Sequence, residues 1–299
     1  MVKLDLAKYL FKEGLMIDSH THGHYSYDSK ADYNEMIKSA INNGLKGICF
    51  TDHYEYVPTC IDLGHKQEYE TGKFYGFSLN NYIKDIKELA STYSQQNFKV
   101  LVGLEAGLYD TNMENVANAM NSPELQGQFD AIIGSVHYVP NAPDPFYHEY
   151  TQYYDKNTAY SKALEQYIKL LPQYPKINIL GHFDYVARYS QTYTDRNMYY
   201  NDFPDHFDKL FNIIISMGIA LEINTATYVK RDEYPANKLD INILKRYREL
   251  GGELITIGSD AHYTQNVARG FDEMRLFLKN AGFAYLTHFE NGKPIMTGV

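Results

Sequence analysis

Short runs rich in Ile, Val, Leu and Phe alternate along the chain with longer stretches of helical periodicity, the pattern of βα units around a mainly parallel sheet. Seven runs read as strands: 15–18 (LMID), 47–51 (GICFT), 99–105 (KVLVGLE), 129–136 (FDAIIGSV), 177–182 (INILGH), 219–224 (IALEIN) and 253–259 (ELITIGS). Between them, Met36, Ile37, Ala40 and Ile41 share one helical face that stops at Gly44, and Tyr82, Ile83, Ile86, Leu89, Ala90 and Tyr93 share another. Leu210, Phe211, Ile214 and Ile215 before Gly218, and Ile243, Leu244, Tyr247 and Leu250 before Gly251, repeat the scheme. No Pro/Gly/Ser-rich linker divides these units, so the expectation is one closed α/β barrel spanning residues 1–299, with an open doubly wound sheet as the alternative. Residues 54–75 and 140–155 have weak periodicity and many Tyr, Pro and Gly; they read as βα loops placed to cover a site.

Composition narrows the function classes. With 299 residues and 44% hydrophobic content the chain can bury a sizeable core. Its formal charge of −9 offers no basic excess for neutralising a nucleic-acid backbone. Two cysteines, Cys49 and Cys60, make no disulfide framework, and Cys49 sits in the apolar run GICF as a small hydrophobe. The first twenty residues lack a signal-peptide core and no later stretch is long enough to span a bilayer. These features predict a cytoplasmic protein with a small-molecule substrate and neither a nucleic-acid nor a membrane partner; they set no oligomeric state.

The chemistry lies at the strand ends. The first predicted strand runs into Asp18-Ser19-His20-Thr21-His22, and a His-x-His pair at a strand end turns both imidazoles to one side. The second ends at Asp52-His53, the third at Glu105, the fourth at His137, the fifth at His182 and the seventh at Asp260-Ala261-His262. In a barrel these ends converge on the face where catalytic sites are built. A single histidine at a strand end is more often structural, but six of the eleven histidines fall on this face, and jointly they outweigh that reading. Imidazoles mixed with carboxylates suit Zn, Fe or Mn rather than Ca or Mg. His24, His65, His148, His206 and His288 lie outside the pattern, His24 standing only two residues past His22. Arg188, Lys230 and Arg231 are candidate clamps for an anionic substrate group, and Asn224 and Tyr234 candidate substrate contacts, each set against an ordinary surface or turn role.

The motifs DSHTH, FTDH, GLEAG, SVHY, GHFD and GSDAH, in this order, resemble the PHP (polymerase and histidinol phosphatase) superfamily of metal-dependent phosphoesterases over nearly the whole chain. DSHTH...YSYDSKADYNEMI and EINTATYVKRDEYPANKL look like its histidinol-phosphate phosphatase branch. The resemblance implies a distorted (β/α)7 TIM-like barrel and three divalent transition-metal ions per chain. It assigns His20, His22, Glu105 and Asp260 to one ion, and Asp28, His53 and His262 to a second. Glu105 would bridge to a third held by His137 and His182, with Glu105, Asp260 and His262 forming the catalytic core. Asp28 lies in a variable loop that here lacks the Pro-x-Cys-x-His stretch of many phosphatase members and contains His24 as a second ligand candidate.

Three divalent ions against the carboxylates of Asp28, Glu105 and Asp260 would leave a cationic centre that draws a phosphate dianion. The implied reaction is hydrolysis of L-histidinol phosphate to L-histidinol and phosphate in histidine biosynthesis. An amidohydrolase barrel also opens with His-x-His but usually carries a metal-bridging lysine where this chain has His137. A phosphotyrosine-protein phosphatase and a nucleotide or nucleic-acid phosphoesterase remain alternatives within the superfamily. A catalytically silent metal-binding regulatory module should show missing ligands, and every motif position keeps one.

Overall fold

A computed structural model describes residues 10–11, 14–61, 70–110, 113–147, 149–174, 176–230 and 235–299. In chain order the elements are β1 (Leu10–Phe11), β2 (Ile17–Thr21), α1 (Tyr33–Asn42), β3 (Gly47–Phe50), β4 (His53–Val57), β5 (Lys73–Tyr75), α2 (Leu79–Ser94), β6 (Lys99–Gly107) and α3 (Met113–Asn121). There follow β7 (Ala131–Ser135), α4 (Glu149–Tyr153), α5 (Lys156–Leu170), β8 (Ile179–Leu180), α6 (Tyr185–Arg188), α7 (Pro204–Met217), β9 (Ala220–Asn224), α8 (Ile241–Glu249), β10 (Ile255–Gly258), α9 (Phe271–Asn280), β11 (Tyr285–Glu290) and β12 (Lys293–Gly298).

All seven expected strands are present. They lie side by side in chain order β2-β3-β6-β7-β8-β9-β10, every neighbouring pair parallel. The ring is drawn together by a bridge between Thr21 and Ala261, where His22 N donates to Ala261 O at 2.9 Å and Asp260 N to His20 O at 2.8 Å. This is the distorted seven-stranded barrel, and the contacts between its two end strands exclude the open-sheet alternative. Asp18 secures the same seam: its buried carboxylate accepts from Ser259 N at 2.9 Å and Ala268 N at 3.1 Å.

The helices form because apolar residues recur at helical spacing and polar caps fix their ends. Met36, Ile37 and Ala40 of α1 are wholly buried, and the Asp32 side chain accepts from Glu35 N at its start. Ser78, Asp155 and Asp240 cap α2, α5 and α8 in the same way. Gly218 ends α7 in the left-handed conformation with φ 69°, which a residue bearing a Cβ adopts only with strain.

Three features depart from the sequence reading. The segment 54–75, expected to be a loop, contains β4 and β5, an antiparallel ribbon whose His53 end also pairs with Glu105 of β6. The loop expected at 140–155 contains the short helix α4. The third is the β11–β12 hairpin, which lies against β1 and turns at Asn291-Gly292, with φ 51° and 71°. Its turn is bonded to Asp130, just before β7, by Asn291 N and Gly292 N, so it closes the end of the barrel opposite the ligand-bearing strand ends. Phe289 and Met296 of the hairpin complete an interior cluster with Ile17, Cys49, Leu101, Ile133 and Ile179. Cys49 is therefore the small core hydrophobe its surroundings suggested, and burial pushes its thiol up.

Candidate metal centre

The parallel strands deliver their terminal side chains to one focus, and that focus is Glu105. Its carboxylate has no solvent exposure. Oε2 lies 3.3 Å from His20 Nε2, 3.5 Å from His22 Nε2 and 2.9 Å from His53 Nδ1. Oε1 lies 3.0 Å from His182 Nε2 and 3.4 Å from His137 Nε2, and those two nitrogens are 3.3 Å apart. Asp260 Oδ1 approaches His22 Nε2 at 3.2 Å and His20 Nε2 at 3.6 Å. Asp28 Oδ2 reaches His262 Nε2 at 3.1 Å and His53 Nε2 at 3.4 Å.

The nine residues named from the motifs therefore lie together around Glu105, and four overlapping sets among the described residues could each hold an ion: His22, His53 and His262; His20, Glu105 and His182; His20, His22 and Asp260; and His53, Glu55 and His137. His24 is exposed and packs on Tyr25 and Tyr33, so it is Asp28 that the loop brings inward. Among the other histidines, His206 faces Glu165 at 3.4 Å and His288 faces Glu290 at 3.1 Å, both away from this focus; His65 and His148 lie outside the described residues.

The donor set fits transition metals. Buried atoms His20 Nε2, His22 Nε2, His53 Nδ1, Asp28 Oδ1 and Glu105 Oε2 have no well-formed hydrogen bond within the described structure. Buried polar atoms are rarely left so, and five around one point imply an electrophile there. The far sides of the rings agree. His20 Nδ1 donates to Glu222 Oε1 at 2.7 Å, His137 Nδ1 to Glu55 Oε2 at 2.6 Å, His22 Nδ1 to Ser26 Oγ at 3.0 Å and His262 Nδ1 to the Asp260 carbonyl at 3.0 Å. A proton fixed on Nδ1 leaves the Nε2 lone pair aimed inward, which is how ligating imidazoles are oriented.

Charge is concentrated accordingly. Burial opposes ionisation of Glu105, yet His20, His53 and His137 hold its carboxyl well below the usual carboxylate range. Burial would also lower His137, but Glu55 and Glu105 raise it to about 10. His22 is pushed well below the usual imidazole range by burial and by His262 and His53, so it stays neutral. The Asp260 backbone has φ 53°, a left-handed conformation that Asp tolerates better than most residues and that is commonly stored at functional sites.

Sequence reasoning missed the supporting residues. Glu222 and Glu55 are each about 1% exposed, and Glu222 also accepts from His182 N at 2.7 Å. A carboxylate inside the apolar run ALEIN was a usable signal, because buried acids are rare unless paired. Asp52 organises the loop that carries Asp28, accepting from Gly23 N, Ser26 N, Ser26 Oγ and Tyr33 OH.

Two cavities adjoin the cluster. One of about 70 Å³ is bounded by His53, His137, His182, Tyr138, Tyr185 and Asp144; the other, of about 240 Å³, by Ala226, Val229, Tyr263, Asn266 and Arg269. Both share Asp28, Phe146, Arg188, Tyr189, Asp260 and His262. Of the candidate clamps, Arg188 stands at this wall, but its guanidinium is already engaged: Nη1 donates to Asp260 Oδ2 at 2.7 Å, Nη2 to Asn224 Oδ1 at 2.9 Å and Nε to Thr227 Oγ1 at 3.2 Å. Asn224 is 1% exposed and bonded to Arg188, Ala226, Glu222 and Asp260, which places it behind Asp260. Lys230 is exposed and lines neither cavity, while its carbonyl accepts from Arg269, a cation at the cavity wall that sequence reasoning did not single out. Arg231 and Tyr234 lie outside the described residues.

Known proteins resemble this chain over most of its length. The family model of the PHP domain matches residues 18–226. A protein from Clostridium acetobutylicum named probable histidinol-phosphatase is 33% identical over 261 residues, 86% of this chain and 90% of its own. The histidinol-phosphatase of Lactococcus lactis is 28% identical over 93% of this chain and 95% of its own. The crystal structure of histidinol phosphate phosphatase from Lactococcus lactis, complexed with Zn, L-histidinol and phosphate, superposes with a TM-score of 0.78 at 26% identity, covering 95% of this chain and 99% of that one. Motif order, barrel and matched span together place this chain in the PHP domain family.

Proposed function

We propose that this chain hydrolyses a small phosphomonoester, L-histidinol phosphate, to L-histidinol and phosphate, using three divalent transition metals held around Glu105. The observation that carries the reading is the double-sided environment of Glu105, with three imidazole nitrogens on one oxygen and two on the other. The similarity to a Lactococcus lactis enzyme crystallised with Zn, L-histidinol and phosphate supports the substrate. Divalent ions bound there would supply Lewis acidity, neutralise phosphate charge and acidify a water towards a pKa of about 7.

The chain's own residues divide the remaining work. His20, His22, Glu105 and Asp260 would hold one ion, Asp28, His53 and His262 a second, and His137 and His182 with Glu105 a third. Glu105 is buried and serves the ions; Asp28, Asp260 and His262 face the cavities and meet the substrate's end of the site. Arg188 sets Asp260 from behind while presenting positive charge to both cavities, where it would favour a dianion as its charge shifts in the transition state. Arg231 and Tyr234 stay in the proposal as substrate contacts.

All 299 residues act as a single phosphoesterase unit in this reading, within cytoplasmic histidine biosynthesis. No helix among the described residues is long and apolar enough to cross a membrane. The test is a phosphate-release panel with metal-replete protein: L-histidinol phosphate, simple alkyl phosphomonoesters, a phosphotyrosyl peptide and a nucleotide diester. L-Histidinol phosphate should have the highest kcat/KM. Faster cleavage of the peptide or the diester would overturn the substrate while leaving metal-dependent phosphoester hydrolysis in place.

A further inference from the structure

The smaller cavity carries more than the metal-facing residues. Four carboxylates border it: Asp28, Glu55, Asp260 and Asp144. The first three are tied to the imidazoles of the cluster. Asp144 comes from the loop after β7, where its Oδ1 accepts from Phe146 N at 2.9 Å and its carbonyl from Tyr147 N at 3.1 Å. That loop is fixed to the body by Ala142, which is buried and accepts from Ile61 N at 3.0 Å. Around Asp144 stand aromatic faces: Phe146 lies 4.9 Å from Tyr189, and Tyr189 5.0 Å from Tyr185, while Tyr138 completes the lining.

We infer that Asp144, with the rings of Phe146, Tyr185 and Tyr189, forms a subsite for the cationic part of the leaving group, so that the enzyme selects phosphomonoesters whose alcohol carries an ammonium close to the ester oxygen. A carboxylate beside aromatic faces recognises an organic cation through charge and ring quadrupole together. The guanidinium at the wall, that of Arg188, lies 5.6 Å from the Tyr185 ring and is paired with Asp260, which assigns its side of the cavity to the phosphate. L-Histidinol phosphate, with its ammonium one carbon from the ester carbon, meets this description. The inference rests on the phosphomonoesterase reading above and names the residue that would set its selectivity.

The experiment compares kcat/KM for 2-aminoethyl phosphate and its near-isostere propyl phosphate, in wild type, Asp144→Asn and Asp144→Lys, by phosphate release from zinc-loaded protein. Asparagine keeps an oxygen able to accept from Phe146 N and removes the charge. Wild type should prefer the cationic ester by about tenfold or more; Asp144→Asn should erase most of that ratio and Asp144→Lys should invert it. A purely structural role for Asp144 would lower both substrates in proportion and leave the ratio intact, which overturns the inference, as would a wild-type ratio near one. If the ratio depends on Asp144 but L-histidinol phosphate is no better than 2-aminoethyl phosphate, the subsite stands and the proposed substrate falls.

Discussion

Replacing Glu55 by glutamine should weaken one of the three proposed metal positions selectively. Glu55 accepts the His137 Nδ1 proton at 2.6 Å and the Tyr27 hydroxyl at 2.8 Å, and it is 1% exposed. Glutamine preserves shape and an acceptor oxygen, so what changes is the charge behind His137. A charge-assisted hydrogen bond contributes roughly 1.5–3 kcal/mol against about 1 kcal/mol for a neutral one. The loss of about 0.5–2 kcal/mol corresponds to roughly 2- to 30-fold in affinity, and its upper part overlaps the roughly 10–100-fold range typical of residues that orient a ligating imidazole. The packing leaves no relief, because a Cβ on Gly107 would already lie 2.4 Å from Glu55 Cβ. The negative charge of Glu55 also favours a second ring proton, on His137 Nε2, which competes with the metal, but it favours a divalent ion more than a single proton, so the net effect of its removal is weaker binding. The assay is zinc retention per chain against a graded chelator, measured by elemental analysis. One ion of three should leave about tenfold more readily while the other two hold. Unchanged retention, or equal weakening of all three, would refute the reasoning.

Arg188→Ala should lower kcat/KM for L-histidinol phosphate by about tenfold or more, roughly 1.4 kcal/mol. Because Arg188 braces Asp260, the variant should also retain zinc less tightly, and a variant with full metal affinity would show that the 2.7 Å pair is dispensable for binding. Metal-free protein should lose stability as pH rises from about 7 to about 10. The folded His137 imidazole is raised from 6.5 to about 10, so its stabilisation is complete below 6.5 and disappears as pH passes about 10. Urea melts at several pH values would check this, a flat or rising profile contradicting it, and zinc addition near neutral pH should release protons. Gly258→Ala should cost about 1–3 kcal/mol, since the new methyl would sit 2.5 Å from His20 Cβ and 2.4 Å from Glu222 Oε1; an unchanged melting temperature would refute that.

The barrel was legible because its strands are buried on both faces and read as continuous apolar runs, and the metal-facing residues because each follows such a run directly. Asp28 came through family resemblance, as the loop from Gly23 to Ser29 has no periodicity and takes its shape from Asp52, a partner some 26 residues away in sequence at Ser26. Pairs such as His137 with Glu55 and His20 with Glu222 join positions 82 and 202 residues apart, and local pattern carries no record of them. Arg188 was named as a phosphate clamp and Asn224 as a substrate contact, while their bonds to Asp260 depend on the fold. The β11–β12 hairpin was readable and was missed: Asn-Gly between two apolar stretches is a strong turn signal, and both residues adopt the positive φ it requires. Asp144 gave no signal, lying among prolines in a loop whose course only the barrel defines.

The central claim is that turnover requires metals gathered around Glu105. It is tested most directly by stripping the protein with a chelator and measuring phosphate release from L-histidinol phosphate as zinc is returned in measured equivalents. The account predicts no turnover without metal and recovery that continues until close to three ions per chain are bound. Full turnover by verified metal-free protein, or complete recovery at one ion per chain, would contradict it.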